Sequence, residues 1–429
     1  MAPGVGVSSP VRAAVELAPD PVLPRRDDLL DDRTVGALLS ELLGQPLGAC
    51  TRVRAKYRRG ESLRATYRIG SDGGLLVSAR MFPAAKAGIQ FLRARDAAVA
   101  QGAAAGSVLF DQETHTVFWV FPQDRKLRGL GRLTTPPPEL RDVFGAPWTQ
   151  SELMAYTPEK AATVRCADPR GRTVGFAKLQ GGDEGRRSVD TLRAVRRGLP
   201  EHGPLRLPDA VGYLPEQHLA LFSPEPGRPL HQVERAVVPQ AMAALGAALS
   251  VLHARPTAGF APFTRLEPGQ VAAAGHLVRA ARPDLAPVTE ALVDELLATA
   301  PAPGPRSLLH GDLHPKNVLV HDDGVCLVDL DQAGAGPAAA ELGGTLARLR
   351  CPRPGDEIDP ATAAAAAEAL LAAYDRTPSA ADLRWHAAAA LLVERAARAV
   401  GRVDVPVLHD LERVLATALR WAQRDEDLG

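Results

Sequence analysis

The chain has 429 residues, 46% of them hydrophobic and 23% charged, with 50 Lys plus Arg against 50 Asp plus Glu. That length is too great for one compact core, so two or three folding units of an ordinary globular chain are expected. A net charge of zero and only 4% aromatic residues leave no global attraction to nucleic acid or membrane and argue against base-stacking platforms.

The first residues lack the long apolar run of a signal peptide. No run of about eighteen apolar residues without charge follows, so no membrane span is expected. Cys50, Cys166, Cys326 and Cys351 form no Cys-x-x-Cys unit and read as free or buried thiols in a reducing compartment, with the cytoplasm as default.

Residues 1–33, rich in Pro, Ala and Asp, read as a flexible lead-in. A helix is expected over 34–43 and strands over 64–69, 75–81 and 117–121. Residues 132–148 read as a linker because Pro136, Pro137 and Pro138 exclude regular pairing. The strand-rich part after the linker repeats the one before it. Tyr57 and Tyr156 lie 99 apart, and Arg80 and Lys178 lie 98 apart. Residues 90–94 align with 190–194 at a shift of 100, and Glu113, His115, Arg125 and Leu127 align with Glu216, His218, Arg228 and Leu230 at 103. A drifting shift is what loop insertions produce, and it points to a tandem duplication. From Val233 onward the apolar residues recur at helical spacing, in 241–253, 288–300, 361–374, 380–400 and 408–423.

One block interrupts the helices. Residues 307–331 read SLLHGDLHPKNVLVHDDGVCLVDLD. Asp323-Gly324 between apolar runs is a hairpin signal. A hairpin closed at Asp323 sets Asn317 opposite Asp329 at its open mouth. Two oxygen ligands so placed suit magnesium, which keeps several waters and takes one or two protein oxygens beside nucleotide phosphates. Asp312 lies five residues before Asn317. Phosphoryl transfer needs a carboxylate to orient the attacking hydroxyl and metal to neutralise phosphate charge, and Asp312, Asn317 and Asp329 supply that set.

This segment resembles the catalytic loop of the aminoglycoside phosphotransferase and choline kinase families, relatives of the protein kinases. Their pattern, His-Gly-Asp-Leu-His-x-x-Asn and later apolar–Asp–apolar–acid, stands here as His310–Asn317 and Val328-Asp329-Leu330-Asp331. The resemblance implies an α+β, protein-kinase-like bilobal fold with a mainly helical C-lobe. It implies Asp312 as catalytic base, Asn317 and Asp329 as magnesium ligands, and ATP (or GTP) with magnesium as cofactors. Lys178 would grip the nucleotide phosphates, with Asp190 as its ion-pair partner and Glu184 as the alternative. The hinge would run over 221–225, where the backbone up to Glu225 reads the purine edge. His310 and His314 read as structural, and Asp331 stays open between a second metal ligand and a turn carboxylate. Pro337 and Glu341 stand where the family often has acids.

The expected units are 1–33 (lead-in), 34–131 (an additional, degenerate N-lobe-like cap), 132–148 (linker), 149–230 (kinase N-lobe) and 231–429 (helical C-lobe). The first copy carries Arg80 where the second has Lys178, and no catalytic loop follows it, so it reads as a cap. The expected activity is transfer of a γ-phosphate to a hydroxyl of an antibiotic, sugar or amino alcohol. A Ser/Thr hydroxyl of a peptide or protein is the alternative acceptor, and a nucleotide-binding pseudokinase is the second alternative. A cationic acceptor would call for acids, and 356–359 and Glu341 are the candidates.

Overall fold

The computed structural model describes residues 17–70, 74–136, 138–200, 202–353 and 358–424. Residues 1–16, and with them half of the expected lead-in, lie outside that set, as do Asp356 and Glu357. The other half of the lead-in departs from expectation. Residues 17–31 are docked, with Leu17, Leu23 and Leu29 buried. The Arg26 guanidinium donates to the carbonyls of Leu17 (3.0 Å) and Ala18 (2.9 Å), and Asp20 accepts from the Tyr57 hydroxyl at 2.7 Å. Low aromatic and high Pro/Asp content hid a segment held by polar contacts and a few leucines.

The first lobe follows. Helix α1 (Asp32–Leu43) starts where Asp31 accepts from Thr34 N and stops at Gly44 in the left-handed region. Strands β1 (Cys50–Arg58), β2 (Ser62–Ile69), β3 (Leu75–Met81), β4 (Val108–Asp111) and β5 (Thr116–Val120) form a sheet in the order β1-β2-β3-β5-β4, with α2 (Ala84–Ala100) after the third strand. The expected linker is not a loose tether. It contains helix α3 (Leu130–Thr134), and Leu133, Leu140 and Trp148 are buried against the second sheet.

The second lobe repeats the plan. Strands β6 (Gln150–Thr157), β7 (Ala161–Ala167) and β8 (Thr173–Gln180) lead to α4 (Glu184–Arg196), the short β9 (Leu205–Arg206), then β10 (Ala210–Leu214) and β11 (Leu219–Phe222). The sheet order, β6-β7-β8-β11-β10, matches the first. The match extends to single residues. Arg80 pairs with Arg64 and Val117, while Lys178 pairs with Thr163 and Ala220, at shifts of 98, 99 and 103. His115 and His218 both adopt positive φ (55° and 53°), and each carbonyl accepts the amide two residues beyond the aligned Arg80 or Lys178. The extra N-terminal lobe is thus a duplicated kinase-like N-lobe in topology.

The helical lobe opens with β12 (Arg228–Pro229) and holds α5 (Val238–His253), α6 (Pro268–Ala281) and α7 (Ala286–Ala298). Then come β13 (Ser307–Leu309), β14 (Val318–His321), β15 (Gly324–Leu327) and β16 (Gly334–Gly336), followed by α8 (Ala338–Arg350), α9 (Pro360–Ala372) and α10 (Ala380–Ala390). A π-helical stretch, Leu391–Ala397, joins α10 to α11 (Arg398–Arg402), and α12 (Val405–His409) and α13 (Leu411–Ala422) close the lobe. The stretch Arg235–His253 is long and apolar enough by composition to cross a membrane. Here it is a core helix, with eight residues of α5 buried and α9 packed along it. The architecture is α+β: a kinase-like bilobal fold with a mainly helical C-lobe and an additional N-terminal lobe.

Three apolar clusters hold the chain. The largest joins the first lobe to the helical lobe, running from Leu17, Tyr57, Tyr67 and Phe118 through Leu249 and Leu309 to Trp421. The second lobe has its own core around Trp148, Val164, Ala177 and Leu219. A small cluster, with Val117 and Trp119, sits under α2.

Candidate active site

The loop 310–317 is built on local necessities. Gly311 has φ 79°, and a Cβ there would stand 2.0 Å from the Gln332 carbonyl, so only glycine fits. Glu341 of α8 anchors the loop from behind. Its carboxylate accepts from His310 N at 3.0 Å and Gly311 N at 2.8 Å, and it pairs with His253 Nε2 at 3.0 Å. His253 in turn meets the Tyr374 hydroxyl at 2.8 Å. Burial opposes the Glu341 charge, but the bonds from His253 and the loop outweigh it and hold the pKa below its ordinary value. Glu341 therefore ties down the loop and is no acid for a cationic acceptor. His310 is buried: its Nε2 donates to Val328 O at 2.9 Å, and its Nδ1 accepts from Asp312 N at 3.3 Å. That is a structural role.

Asp312 is half-buried, with Oδ1 3.5 Å from Arg265 and 3.9 Å from Arg398. Burial disfavours its charge, but Arg398 and Arg265 outweigh this and lower its pKa. His314, desolvated beside it, is pushed down despite Asp312 and stays neutral near pH 7. Among the described residues Oδ1 is buried without a hydrogen bond and faces the two guanidinium groups.

The hairpin closes one residue earlier than expected. Val318 faces Leu327 and His321 faces Gly324, leaving Asp322-Asp323 as the two-residue turn. Gly324 begins β15 instead of sitting in the turn. Asn317 then pairs with Val328, whose N donates to Asn317 O at 3.0 Å. Asp329 lies one residue beyond, in left-handed conformation (φ 64°, ψ 53°). A one-residue slip normally turns a side chain to the other face. The positive φ of Asp329 redirects the chain at that point. Asn317 Nδ2 donates to Asp312 O at 3.1 Å, which orients its amide.

Lys178, on β8, comes to this mouth from the second lobe. Its Nζ is 2.6 Å from Asp329 Oδ1 and 2.6 Å from Asp331 Oδ2. Burial opposes the ammonium charge, but Asp331 and Asp329 prevail and raise its pKa. The expected partner Asp190 is not among these carboxylates. It lies exposed on α4, whose buried face carries Gly185, Ser188, Val189, Leu192 and Val195. Glu184, the alternative, is half-exposed at the start of α4 and is not one of the Lys178 partners. The helix meets the site through Ser188 instead, whose hydroxyl donates to Gln180 Oε1 at 3.1 Å, while Gln180 Nε2 donates to Asp331 at 3.2 Å. The spacing of buried positions along 185–195 is the sequence signal that points to Ser188.

Glu225 stands in the connection between β11 and β12, accepting from the Ser223 hydroxyl at 3.0 Å, and Ser223 N donates to Asp209 O at 2.9 Å. The structure thus brings Asp312, Asn317, Asp329 and Lys178 to one place, with Glu225 in the interlobe connection. Asp190 stays away. Residues that the sequence did not single out complete the floor: Arg265 before α6, Arg348 on α8, Glu394 in the π-helical stretch and Arg398 on α11. Glu394 takes Arg348 at 2.8 Å and Arg265 at 3.3 Å. A π turn inside a longer helix is a frequent mark of a functional site. Among the described residues no group of three or more His, Cys, Asp or Glu could hold a metal unaided. Magnesium bound mainly by water and phosphate needs no such cage, and Asp329 with the side-chain amide oxygen of Asn317 fits that demand.

Residues 183–380 match the model of the phosphotransferase enzyme family (APH). Among solved structures, aminoglycoside phosphotransferase APH(4)-Ia is similar at 15% identity, over 66% of this chain and 97% of that one, with a TM-score of 0.50. Macrolide 2'-phosphotransferase MphH from Brachybacterium faecium is 20% identical over 65% of this chain and 93% of its own, at a TM-score of 0.40. A choline/ethanolamine kinase family protein from Mesorhizobium loti is 15% identical over 68% and 97%, at 0.44. No curated protein matches the chain. Identities this low speak to fold, and the family match over residues 183–380 speaks to chemistry: the chain is a kinase-like phosphotransferase with an alcohol group as acceptor.

Proposed function

We propose that the protein transfers the γ-phosphoryl group of ATP to a hydroxyl of a small molecule, in the presence of magnesium. The observation that carries this reading is the convergence of Lys178, from the second lobe, on Asp329 and Asp331 beside the Asp312–Asn317 loop. Asp329 and Asn317 would hold magnesium, which would neutralise phosphate charge. Lys178 would exchange part of its carboxylate contacts for nucleotide phosphate. Asp312, kept ionised by Arg398 and Arg265, would accept the acceptor's proton. The 221–225 connection would offer backbone groups to the purine. ADP in the solved spectinomycin phosphotransferase APH(9)-Ia and AMP-PNP in a solved APH(4)-Ia support the nucleotide part of this reading.

The test is Asp312→Asn. Turnover should fall by roughly 10²–10⁴, the usual worth of such a base, while nucleotide binding by calorimetry stays within about twofold. Retention of more than about a tenth of kcat would remove Asp312 from the role of base. Asp329→Ala should weaken nucleotide binding in magnesium and leave magnesium-free binding unchanged.

A further inference from the structure

A cleft of about 620 Å³ opens beside Asp312 on the side of the helical lobe, and neither Lys178 nor Asp329 lines it. It is therefore the acceptor's side of the base. Among the described residues seven lysine or arginine side chains line it against three carboxylates, Asp312, Glu394 and Asp404. All three carboxylates already have guanidinium partners: Arg265 and Arg398 face Asp312, Arg348 and Arg265 face Glu394, and Arg353 pairs with Asp404. Arg402, at the mouth, has no carboxylate within ion-pair distance among the described residues.

Three of its charged neighbours are cations, and the Asp312 carboxylate offsets them only in part. Desolvation first, then Arg398, Arg54 and Arg353, push the Arg402 guanidinium down to about 10. Arg54 comes from β1 of the first lobe, because α11 packs against that strand. Its guanidinium donates to the Tyr156 carbonyl at 3.2 Å and to the Thr157 hydroxyl and has no carboxylate partner among the described residues. Desolvation and Arg398 lower its pKa as well. Like charges in a partly desolvated cleft repel, and an entering anion relieves that cost. A polycationic acceptor would add to it.

Resting on the phosphotransferase reading above, we propose that the acceptor is an anionic hydroxyl compound, of the sugar-acid or sugar-phosphate class, whose carboxylate or phosphate lies between Arg398 and Arg402 with Arg54 adding charge from the first lobe. The reaction keeps its balance. The acceptor oxygen bonds to the γ-phosphorus, the bridging bond to ADP breaks, and the hydroxyl proton passes to Asp312. Guanidinium forks suit carboxylate and phosphate alike. The first lobe then acts on the cleft through the charge of Arg54, which lies near Arg402 without lining the cleft itself.

The full chain with magnesium and ATP is assayed for ADP release with matched sets: glucose, gluconate, glucose 6-phosphate and glucosamine, plus kanamycin. The anionic members should exceed the neutral and cationic ones in kcat/KM by about tenfold or more, and Arg402→Gln or Arg54→Gln should raise their KM by about tenfold, the order expected for a charged hydrogen bond. Gluconate against glucose 6-phosphate separates the two anion sources. In parallel, calorimetry with citrate and inorganic phosphate as probes, on protein saturated with AMP-PNP and magnesium, should show binding that Arg402→Gln weakens and Arg402→Lys partly restores. A neutral or cationic acceptor used equally well, or probe binding that is absent or unaffected by both variants, overturns the inference. Turnover of kanamycin that Asp312→Asn abolishes would overturn it and leave the phosphotransferase reading standing. Anion binding at Arg402 with no acceptor turned over would support the inference and count against that reading.

Discussion

Arg80 of the first lobe holds Glu159 of the second, its Nη1 lying 2.7 Å and 2.9 Å from the two carboxylate oxygens. Arg80 occupies the place that Lys178 has in the other copy, so a side chain at the nucleotide-lysine position grips a protein carboxylate. Arg125 and Arg64 reach the same carboxylate at 2.9 Å and 3.3 Å. Burial opposes the Glu159 charge, but Arg125 and Arg80 outweigh it and lower the pKa. Glu159 sits in the β6–β7 turn, the segment that covers phosphates in kinase-like lobes, at φ 64°. The aligned residue of the first copy is Gly60, at φ 71°, so the second copy keeps a strained non-glycine residue where glycine would be relaxed.

Three guanidinium groups on one buried carboxylate make the losses unequal. Arg80→Met leaves Arg64 and Arg125 in place, and ATP kinetics should stay within about threefold of wild type. Glu159→Ala strands three cations and should cost about 3 kcal/mol of stability together with a several-fold rise in the KM for ATP. Urea unfolding and steady-state kinetics on both variants check this. Equal effects of the two would mean that the cluster does not act through Glu159.

Lys178→Met should reduce kcat/KM for ATP by about tenfold or more, as loss of a contact to the transferring phosphate would. Because Lys178 separates Asp329 from Asp331, the variant should also lose thermal stability at low salt and regain part of it with added magnesium. Differential scanning with and without magnesium reads that second effect.

Gly311→Ala would place a methyl group 2.0 Å from a backbone oxygen that cannot yield cheaply. The left-handed conformation adds roughly 1–2 kcal/mol for a residue with a side chain. The protein should fold with a Tm several degrees lower and lose turnover by about a hundredfold. A variant with normal kcat would show that the loop tolerates a shift.

His386, buried on α10, titrates far below its ordinary value, at about 4, because burial disfavours the imidazolium despite Asp382. The folded-state pKa is depressed, so the unfolded chain takes up the proton first as pH falls. Stability is full above about pH 6.5 and is lost progressively down to about pH 4, by about 3 kcal/mol at most. His386→Leu should flatten this part of the profile. Urea midpoints at pH 7 and 4.5 for both proteins give the comparison.

What the sequence made legible was contiguous. Asp312, Asn317 and Asp329 fall within one short block, and their spacing brought them to one hairpin although the register was off by one residue. The duplication showed as identities at a drifting shift, which the pairings of Arg80 and Lys178 explain. What stayed hidden depends on faces and register. Asp190 aligned well but lies on the outer side of α4, and only the buried spacing of 185–195 shows which side faces the sheet. The hairpin register turned on which residues of Asp322-Asp323-Gly324 form the turn, a difference of one position. Arg265, Arg348 and the Glu394–Arg398 stretch come from elements far apart in sequence, and no local pattern joins the three.

The apolar clusters carry a consequence for how the molecule comes apart. The first and helical lobes share one continuous core, which α4 and β9 of the second lobe join through Leu192, Val195 and Leu205, while the longer strands of that lobe, which lies between them in sequence, keep their own. Cooperative units follow shared cores more closely than chain order. Amide exchange under native conditions should therefore divide the chain as outer parts against middle. Protons of β6, β7 and β8 would exchange through a local opening that leaves β1, β2 and α5 protected. Those last three would exchange together, although just over two hundred positions separate Cys50 from His253 at the ends of that group.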